Sequence, residues 1–323
     1  MIKRRSIFRL SAYAALCALP SLTAASDAAL RTQVFVGFPP AGPLDIASRL
    51  ICPLLAERLS EPFETVNLPG ESGNLATARV ARAEPDGRTL LLCGPVNVIN
   101  TSLFKGLPFN FETDLMAVAG LYSVPLVVEV NPSSPARSAE EFIRMAKASP
   151  NEIRVGYAGV GTPQHIGIEL FNAMAGVSLK LIPYAGSAAA LVDLLAGHID
   201  AMFDPTPSSI EHLRAGRLRA LAVTGKATLN ALPDVPLMSK FVPGYEAGSW
   251  FGLCAPQGTP RSRIDQINSA ANAALRDGAT QARLDAMGAQ AMPGTPSEFS
   301  RLIAFETSKY AKVINQAGIS RRS

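Results

Sequence analysis

Two glycine-containing turns, each between a predicted strand and a predicted helix, are the segments of this sequence best suited to binding chemistry. The first lies in residues 34–45 (VFVGFPPAGPLD), where a β-branched and aromatic strand stops at two prolines and a helix begins near Pro43. The second lies in residues 159–165 (GVGTPQH), where Thr162 suits a helix N-cap and Pro163 the first helical position. The first N–H groups of a helix have no intrahelical partner, and the helix dipole favours negative charge beside them. Both turns therefore predict an anion-binding site.

The candidate ligand-binding residues lie in these two turns and in four other loops that follow predicted strands, because ligands of α/β sheets collect at the carboxyl ends of strands. The first turn contributes Phe38, Pro40, Ala41, Gly42 and Asp45, and the second contributes Gly159, Gly161, Thr162 and His165. The other loops contribute Ser72, Gly73, Asn97, Tyr184 and Asp204.

Several of these residues have a structural alternative that the sequence leaves open. Asp45 stands in the first turn of a helix, where the dipole stabilises a carboxylate, or it meets an ammonium or hydroxyl group of the ligand. Tyr184 points into a cleft or packs against the sheet. Asp204 starts the next helix or accepts hydrogen bonds at the cleft edge. The second turn, with its flexible glycines, is also compatible with a purely structural capped turn.

Catalytic and metal-binding constellations are not indicated. The three histidines, His165, His198 and His212, lack metal-ligand spacing with cysteines or carboxylates. Ser72 stands in GESG, which is not a GxSxG nucleophile elbow, and Gln164 replaces the third glycine of a dinucleotide fingerprint. We therefore expect a binding protein without catalytic residues, metal or cofactor.

Strands and helices alternate along the chain, which predicts an α/β protein built from βαβ units. A helix is predicted from about residue 46, with a kink or a break at Pro53. Residues 26–124 and about 250–323 form one predicted domain, and residues 125–249 form the other. The C-terminal helices are free to contact both domains. The strands predicted at 125–130 (PLVVEV) and 250–255 (WFGLCA) are expected to pair where the chain crosses between the domains.

The first 25 residues have the pattern of an export signal, with a basic start, a short apolar segment and a TAA cleavage site. The pattern favours the general secretory route, and Arg4-Arg5 leaves the twin-arginine route as the alternative. Removing this leader takes four basic residues from a net charge of +4, so the remaining chain is formally neutral. A neutral chain without a basic run gives no indication of nucleic-acid binding. We expect a periplasmic monomer.

Three cysteines remain after the leader: Cys52, Cys93 and Cys254. They lie in apolar segments without CxxC spacing, which favours buried thiols over a disulfide, although one pair would be free to bridge in an oxidising compartment.

Short motifs in a specific order give the chain a family resemblance. They are FPPAG at 38–42 with Asp45, NLPG at 67–70 with Gly73-Asn74, AEPDG at 83–87, Gly161-Thr162 with His165, Pro183-Tyr184 with Gly186, DLLAG at 193–197 with Asp200, GRLRALAV at 216–223, LPDVP at 232–236, and Trp250 with Ala255-Pro256 and Thr259-Pro260. With these motifs the sequence resembles the periplasmic solute-binding receptors of tripartite tricarboxylate transporters, the Bug or TctC family.

The resemblance implies a two-domain periplasmic-binding-protein fold of the type II-like, Venus-flytrap kind, with a small carboxylate bound in the cleft. In the family, backbone N–H groups and waters of two opposed loops hold the carboxylate without an arginine clamp, and these loops match residues 38–45 and 159–165. The implied function is delivery of the carboxylate to membrane permease subunits. The alternatives are an orphan sensor that presents its ligand to a signalling protein, and an enzyme on the same fold that uses Asp45 or His165.

The sequence departs from the family pattern at three places, all of which concern the ligand rather than the fold. Ala41 replaces the usual glycine, and its methyl group disfavours a positive φ. Pro43-Leu44 replaces a small polar pair, and Pro43 has no N–H to donate. Glu71-Ser72 replaces the usual Ala-Gly.

Overall fold

The computed structural model describes residues 31–316. The predicted export signal lies outside the described residues, as does Ala317, the last residue of an amphipathic helix that the sequence predicts at residues 297–317.

Ten strands and eleven α-helices are found within the described part of the chain, together with short 3₁₀ turns. The strands are β1 (Thr32–Val36), β2 (Phe63–Asn67), β3 (Thr89–Cys93), β4 (Leu115–Val130), β5 (Arg154–Tyr157), β6 (Lys180–Pro183), β7 (Ala201–Pro205), β8 (Arg219–Val223), β9 (Gly248–Pro256) and β10 (Gln290–Ala291). The helices are α1 (Pro43–Leu59), α2 (Asn74–Ala81), α3 (Pro95–Leu103), α4 (Phe111–Asp114), α5 (Ala139–Ala148), α6 (Pro163–Ala175), α7 (Ser187–Ala196), α8 (Thr206–Arg214), α9 (Arg261–Arg276), α10 (Gly278–Ala286) and α11 (Pro296–Gln316).

The strands form a mixed sheet in the order β2-β1-β3-β9-β4-β7-β5-β6, with β8 and β10 paired to β4. Strands β1, β2 and β3 are parallel to one another, as are β5, β6 and β7. The long strand β4 lies between the two parallel sets and runs antiparallel to β9 and β7. This confirms the predicted α/β class with two lobes. We call the part built on β1–β3 lobe 1 and the part built on β5–β7 lobe 2.

The predicted pairing of residues 125–130 with residues 250–255 is wrong. Trp250 lies opposite Ser123 and Cys254 lies opposite Ala117, so β9 pairs with the first half of β4. Residues 126–130 pair with β7 and β8 instead. The reason is that β4 continues for ten residues on the N-terminal side of Pro125, and this extension supplies the partner of β9.

The sequence predicts either a kink or a break at Pro53, and the break into two shorter helices is wrong because α1 is continuous through this proline. The packing of one face explains why the helix persists: Ile51 and Leu55, on either side of the proline, are buried in the core of lobe 1. Tertiary burial of this kind outweighs a local helix-breaking preference.

Each lobe has its own apolar core. In lobe 1, helices α1 and α9 pack on the sheet, with Leu90 and Ile267 fully buried. In lobe 2, Phe171 contacts Phe203 and Tyr245 edge-on, at ring-centroid distances of 5.2 and 5.7 Å. Edge-to-face contacts of buried aromatic rings add about 0.5–1.5 kcal/mol to the burial of their area. A third core cluster joins Ile166 of lobe 2 to Leu91 and Ile99 of lobe 1.

The three cysteines are buried free thiols, as the sequence favoured. The sulfur atoms of Cys93 and Cys254, on the neighbouring strands β3 and β9, lie 3.3 Å apart. Within residues 31–316, no helix has the length and apolar character needed to cross a membrane.

Candidate functional site

A narrow cavity of about 60 Å³ lies between the two lobes. Both predicted turns contribute to its wall, together with the start of α7 and residues of β9. The lining residues are Phe38, Pro39, Pro40, Gly42, Pro43, Leu44, Val96, Ala158, Thr162, Pro163, Gln164, Ala185, Gly186, Ser187, Ala188, Ala189, Pro205, Ser249 and Phe251.

Five helices begin at this cavity. The N-caps of α1 (Gly42), α6 (Thr162), α7 (Gly186) and α8 (Pro205) line it, and α3 contributes its second residue, Val96. The N-caps of α1 and α7 are glycines, and neither helix has a side-chain cap, which leaves first-turn N–H groups available to a ligand. Each N-terminus carries about half a positive charge. The helix N-termini thus bring partial positive charge to a cavity whose lining residues are all uncharged.

The structure places four of the predicted site residues in the cavity wall. Phe38, Pro40 and Gly42 come from the first turn, and Thr162 comes from the second. The Thr162 hydroxyl donates to the carbonyl of Gly159 at 2.7 Å and accepts from the N–H of His165 at 3.4 Å. This confirms Thr162 as the N-cap of α6, with its hydroxyl group engaged by the turn itself.

Asp45 is buried, Ala41 is exposed, and the hydrogen bond between them stabilises the first turn outside the cavity wall. The Asp45 carboxylate accepts hydrogen bonds from the Ala41 N–H at 2.9 Å, from Arg49 Nε at 2.8 Å and from Asn67 Nδ2 at 2.9 Å. Burial acts to raise the pKa of Asp45, but the hydrogen bonds from Arg49, Ala41 and Asn67 outweigh it and hold the pKa below its usual value. The contacts thus match the structural alternative for Asp45. The N–H of Ala41 donates to the Asp45 carboxylate. Ala41 has a positive φ of 64°, although its methyl group disfavours such a conformation.

We expect Asp45→Asn to destabilise the protein by about 2 kcal/mol, because a buried carboxylate that accepts three hydrogen bonds is replaced by a neutral amide. Since the folded-state pKa of Asp45 is lowered, its stabilisation is present above the unfolded-state pKa of about 3.9 and is lost as the pH falls through the folded-state value. Urea unfolding at pH 7 and at acidic pH measures both effects. A variant as stable as the wild type at pH 7 would show that these bonds do not support the turn.

Three further predicted residues from lobe 1 are used inside the lobe. Asn97 accepts from the N–H of Gly94 and donates to the hydroxyl of Thr77, each at 2.9 Å, so its amide holds the start of α3. The carbonyl of Ser72 accepts a hydrogen bond from Asn100. Gly73 packs against Gly37. The described cavity wall therefore contains none of the predicted ligand contacts from these loops, namely Ser72, Gly73 and Asn97.

The glycines of the second turn have roles that the sequence did not show. Gly161 donates its N–H to Nδ1 of His165 at 3.4 Å, and the His165 ring stacks on Tyr157 at 5.2 Å. A Cβ atom on Gly161 would lie 2.3 Å from Oδ1 of Asn100, in α3 of lobe 1. The glycine is therefore a point of close approach between the lobes. Gly159, Gly161 and His165 lie next to the cavity wall rather than in it.

The two remaining predicted residues, Tyr184 and Asp204, lie outside the cavity wall. The Tyr184 hydroxyl donates to Oδ2 of Asp193 at 2.6 Å, and its ring packs on the core of lobe 2, which matches the packing alternative. Asp204 is fully buried and accepts hydrogen bonds from Gln164 and Ser209 at 3.1 Å each. Burial raises the pKa of Asp204, although hydrogen bonds from neighbouring side chains act against it.

Sequence reasoning missed the start of α7 and the side chains of Gln164, Ser249 and Phe251. The Ala185-Gly186-Ser187 segment follows a strand and opens a helix, which is the same signal that identified the other two turns. Ser249 and Phe251 carry no such signal, because only the pairing of β9 brings them to the cleft.

A two-lobed α/β fold with a cleft at which several helices begin defines the class of periplasmic solute-binding proteins. Residues 47–319 match the family described as tripartite tricarboxylate transporter family receptor, TctC. The chain belongs to this family.

A related sequence and two related structures support the assignment. Protein BugT of Bordetella pertussis is 34% identical over 290 residues, which are 88% of this chain and 89% of BugT. The structure of R. palustris Rpa4515 with adipate is 33% identical, covers 90% of this chain and 98% of its own, and superposes with a TM-score of 0.87. MatC (Rpa3494) from Rhodopseudomonas palustris with bound malate is 30% identical, with coverages of 88% and 98% and a TM-score of 0.83.

Proposed function

We propose that this protein is an exported receptor that binds a small organic carboxylate between its lobes and delivers it to the permease subunits of a tripartite tricarboxylate transporter. The observation that carries the proposal is the convergence of helix N-termini on a cavity whose lining residues are all uncharged. About half a positive charge at each N-terminus is enough for two helices to compensate one carboxylate.

The donors in such a site are held in place by the helices to which they belong. A backbone N–H in the first turn of α1 or α7 loses no side-chain freedom when a ligand arrives, so little ordering entropy opposes binding. The apolar residues around these donors exclude water and strengthen the interaction between the N–H groups and the anion. Membership of a periplasmic receptor family supports the same interpretation.

We further propose that closure of the lobes accompanies binding. Residues of both lobes line the cavity, so a ligand that contacts both favours the closed state. The proposed division places residues 26–124 and about 250–323 in one domain and residues 125–249 in the other. It is supported by Pro125 in β4 and Gly248 in β9, which lie opposite each other at the point where the partners of β4 change from β9 to β7 and β8.

A receptor role without turnover is supported by the chemistry of the cavity wall. Among the described residues that line it there is no histidine, cysteine, carboxylate or lysine, so a bound acid meets no general acid, base or charged nucleophile. The related proteins solved with adipate and malate make aliphatic dicarboxylates the first ligands to test.

Native mass spectrometry and thermal shifts against a panel of small carboxylic acids test the proposal. An acid that binds only the native state adds about 2.7 kcal/mol of stability at a concentration of 100 times its Kd, and we expect at least one acid to do so. The amide of the same acid serves as the matched uncharged control and should give no shift. Equal shifts with acid and amide, or no shift with any acid, would refute carboxylate binding.

A further inference from the structure

Two buried carboxyl groups lie behind the part of the cavity wall that lobe 2 supplies. Glu129 in β4 and Asp204 in β7 are both fully buried. The hydroxyl oxygen of Ser209 lies 2.7 Å from Oε1 of Glu129 and 3.1 Å from Oδ2 of Asp204, so one serine joins the two acids.

The number of hydrogens in this group fixes its protonation state. A serine hydroxyl has one hydrogen and can donate it to one carboxyl group, whereas an ionised carboxylate only accepts. Both contacts are satisfied when one of the two acids carries a proton and donates it to Ser209. Oε2 of Glu129 is buried and has no partner among the described residues, which is far more costly for a charged carboxylate than for a neutral acid.

Burial raises the pKa of both acids, but Asp204 accepts hydrogen bonds from Gln164 and Ser209 whereas one oxygen of Glu129 has no described partner, so we assign Glu129 as the neutral acid and Asp204 as the carboxylate. Glu129 donates to Ser209, and Ser209 donates to Asp204. Burial, and to a lesser degree the neighbouring charge of Asp204, raise the pKa of Glu129 well above its usual value, in agreement with this assignment.

The Asp204 carboxylate in turn orients the amide of Gln164. Nε2 of Gln164 donates to Oδ1 of Asp204 at 3.1 Å and to the hydroxyl of Ser187 at 2.8 Å. Since the carboxylate accepts only, the NH₂ group must face it, and the amide oxygen, in the same plane, points away from Asp204. Gln164 is 2% exposed and lines the cavity, and no described residue donates a hydrogen bond to its Oε1.

We propose, building on the proposed carboxylate-binding function, that Oε1 of Gln164 accepts a hydrogen bond from a ligand hydroxyl group and thereby selects hydroxy-carboxylic acids. A bare carboxylate oxygen next to Oε1 would place two acceptors together, and an alkyl group would leave a buried acceptor unpaired. An ammonium group would bring a full charge to a wall without a charged side chain. A hydroxyl group donates a hydrogen bond to Oε1, and it brings neither a second acceptor nor a full charge.

The test uses two pairs of acids that differ by one hydroxyl group: malate with succinate, and 2-hydroxyadipate with adipate. Titration calorimetry of the wild type should show at least tenfold tighter binding of the hydroxylated member of a pair, because a site with a buried acceptor discriminates against the analogue that lacks the donor. In Gln164→Met, which has a similar length and no amide, we expect the ratio to fall to about one.

Asp204→Asn tests whether Asp204 orients the Gln164 amide or only fills space beside it. The substitution preserves the side-chain volume and removes the carboxylate that the Gln164 NH₂ group must face. A positioning role predicts that this variant loses the hydroxyl discrimination and retains binding of the unsubstituted acid. A merely structural role would lower both affinities together and leave the ratio unchanged.

Equal binding of both members in the wild type, or a ratio that survives in Gln164→Met, would overturn the inference and leave the proposed function intact. Tighter binding of aspartate than of malate would mean that Oε1 prefers an ammonium group to a hydroxyl group, and would also overturn the inference. Failure of both pairs to bind would overturn the inference as well. Failure of every acid in the wider panel, in contrast, would refute the proposed function itself.

Discussion

Gly161→Ala is expected to weaken ligand binding at least a hundredfold, about 2.8 kcal/mol, in a protein that remains folded. Gly161 has a φ of 82°, and an added Cβ would lie 2.3 Å from Oδ1 of Asn100 in the opposite lobe. Asn100 cannot easily withdraw, because its Nδ2 donates to the carbonyl of Ser72 and to Oδ1 of Asn74, both at 2.9 Å. The added methyl group therefore holds the lobes apart and disfavours the closed state that the ligand requires.

Gly159→Ala is the matched control for this effect. Gly159 belongs to the same turn and has a φ of 99°, so alanine brings a comparable backbone strain of about 1–2 kcal/mol. Its added Cβ would lie 3.3 Å from the carbonyl of Tyr184, within the same lobe. We expect Gly159→Ala to lower the melting temperature and to retain most of the affinity. Equal losses of affinity in the two variants would attribute the Gly161 effect to strain alone.

The double variant Gly161→Ala with Asn100→Ala tests the proposed contact directly. Removing the Asn100 amide removes the atom that the new methyl group would meet, so we expect part of the affinity to return relative to Gly161→Ala. Titration of the same acid into all four proteins of this cycle gives the coupling between the two sites. A coupling of zero would mean that the lobes do not meet at this point when the ligand is bound.

Features that depend on local sequence were predictable. The strand-turn-helix order, Thr162 as N-cap and Pro163 at the first helical position follow from backbone preferences of neighbouring residues, and the structure confirms them. The same local signal located two of the segments that line the cavity.

Features that depend on tertiary pairing were not predictable from one sequence. The partner of β9 depends on how far β4 extends before Pro125, and the strand pattern alone does not limit that length. Asp45 was ambiguous for a similar reason. Its hydrogen bond from Asn67, 22 residues further along the chain, exists only because β2 lies beside β1.

The glycine at position 161 shows the difference most clearly. The sequence indicated a turn that offers its N–H to a ligand, whereas the structure gives that N–H to His165 and places the Cα against Asn100. Glycine is required at this position because the backbone of one lobe approaches the other lobe closely. No pattern within residues 159–165 contains that information.

Ala188→Asp is expected to abolish carboxylate binding, with a loss of at least a hundredfold, and to leave the protein at least as stable as the wild type. Ala188 is half-buried, lines the cavity and is the second residue of α7. A carboxylate in the first turn of a helix is stabilised by the dipole. The substitution therefore stabilises the folded protein although it weakens ligand binding. Two like charges about 4 Å apart repel by about 4 kcal/mol at an effective dielectric constant of 20, which is more than the expected loss of affinity requires.

Ala188→Asn is the matched control, because it adds the same volume without a charge. We expect it to bind the acid within about tenfold of the wild type, so the difference between the two variants measures the electrostatic contribution at the start of α7. Melting temperatures measured without ligand verify that Ala188→Asp is folded. If Ala188→Asp bound the acid as tightly as Ala188→Asn, the anion would lie elsewhere in the cavity, and the N-termini of α1 and α6 would be the positions to test next.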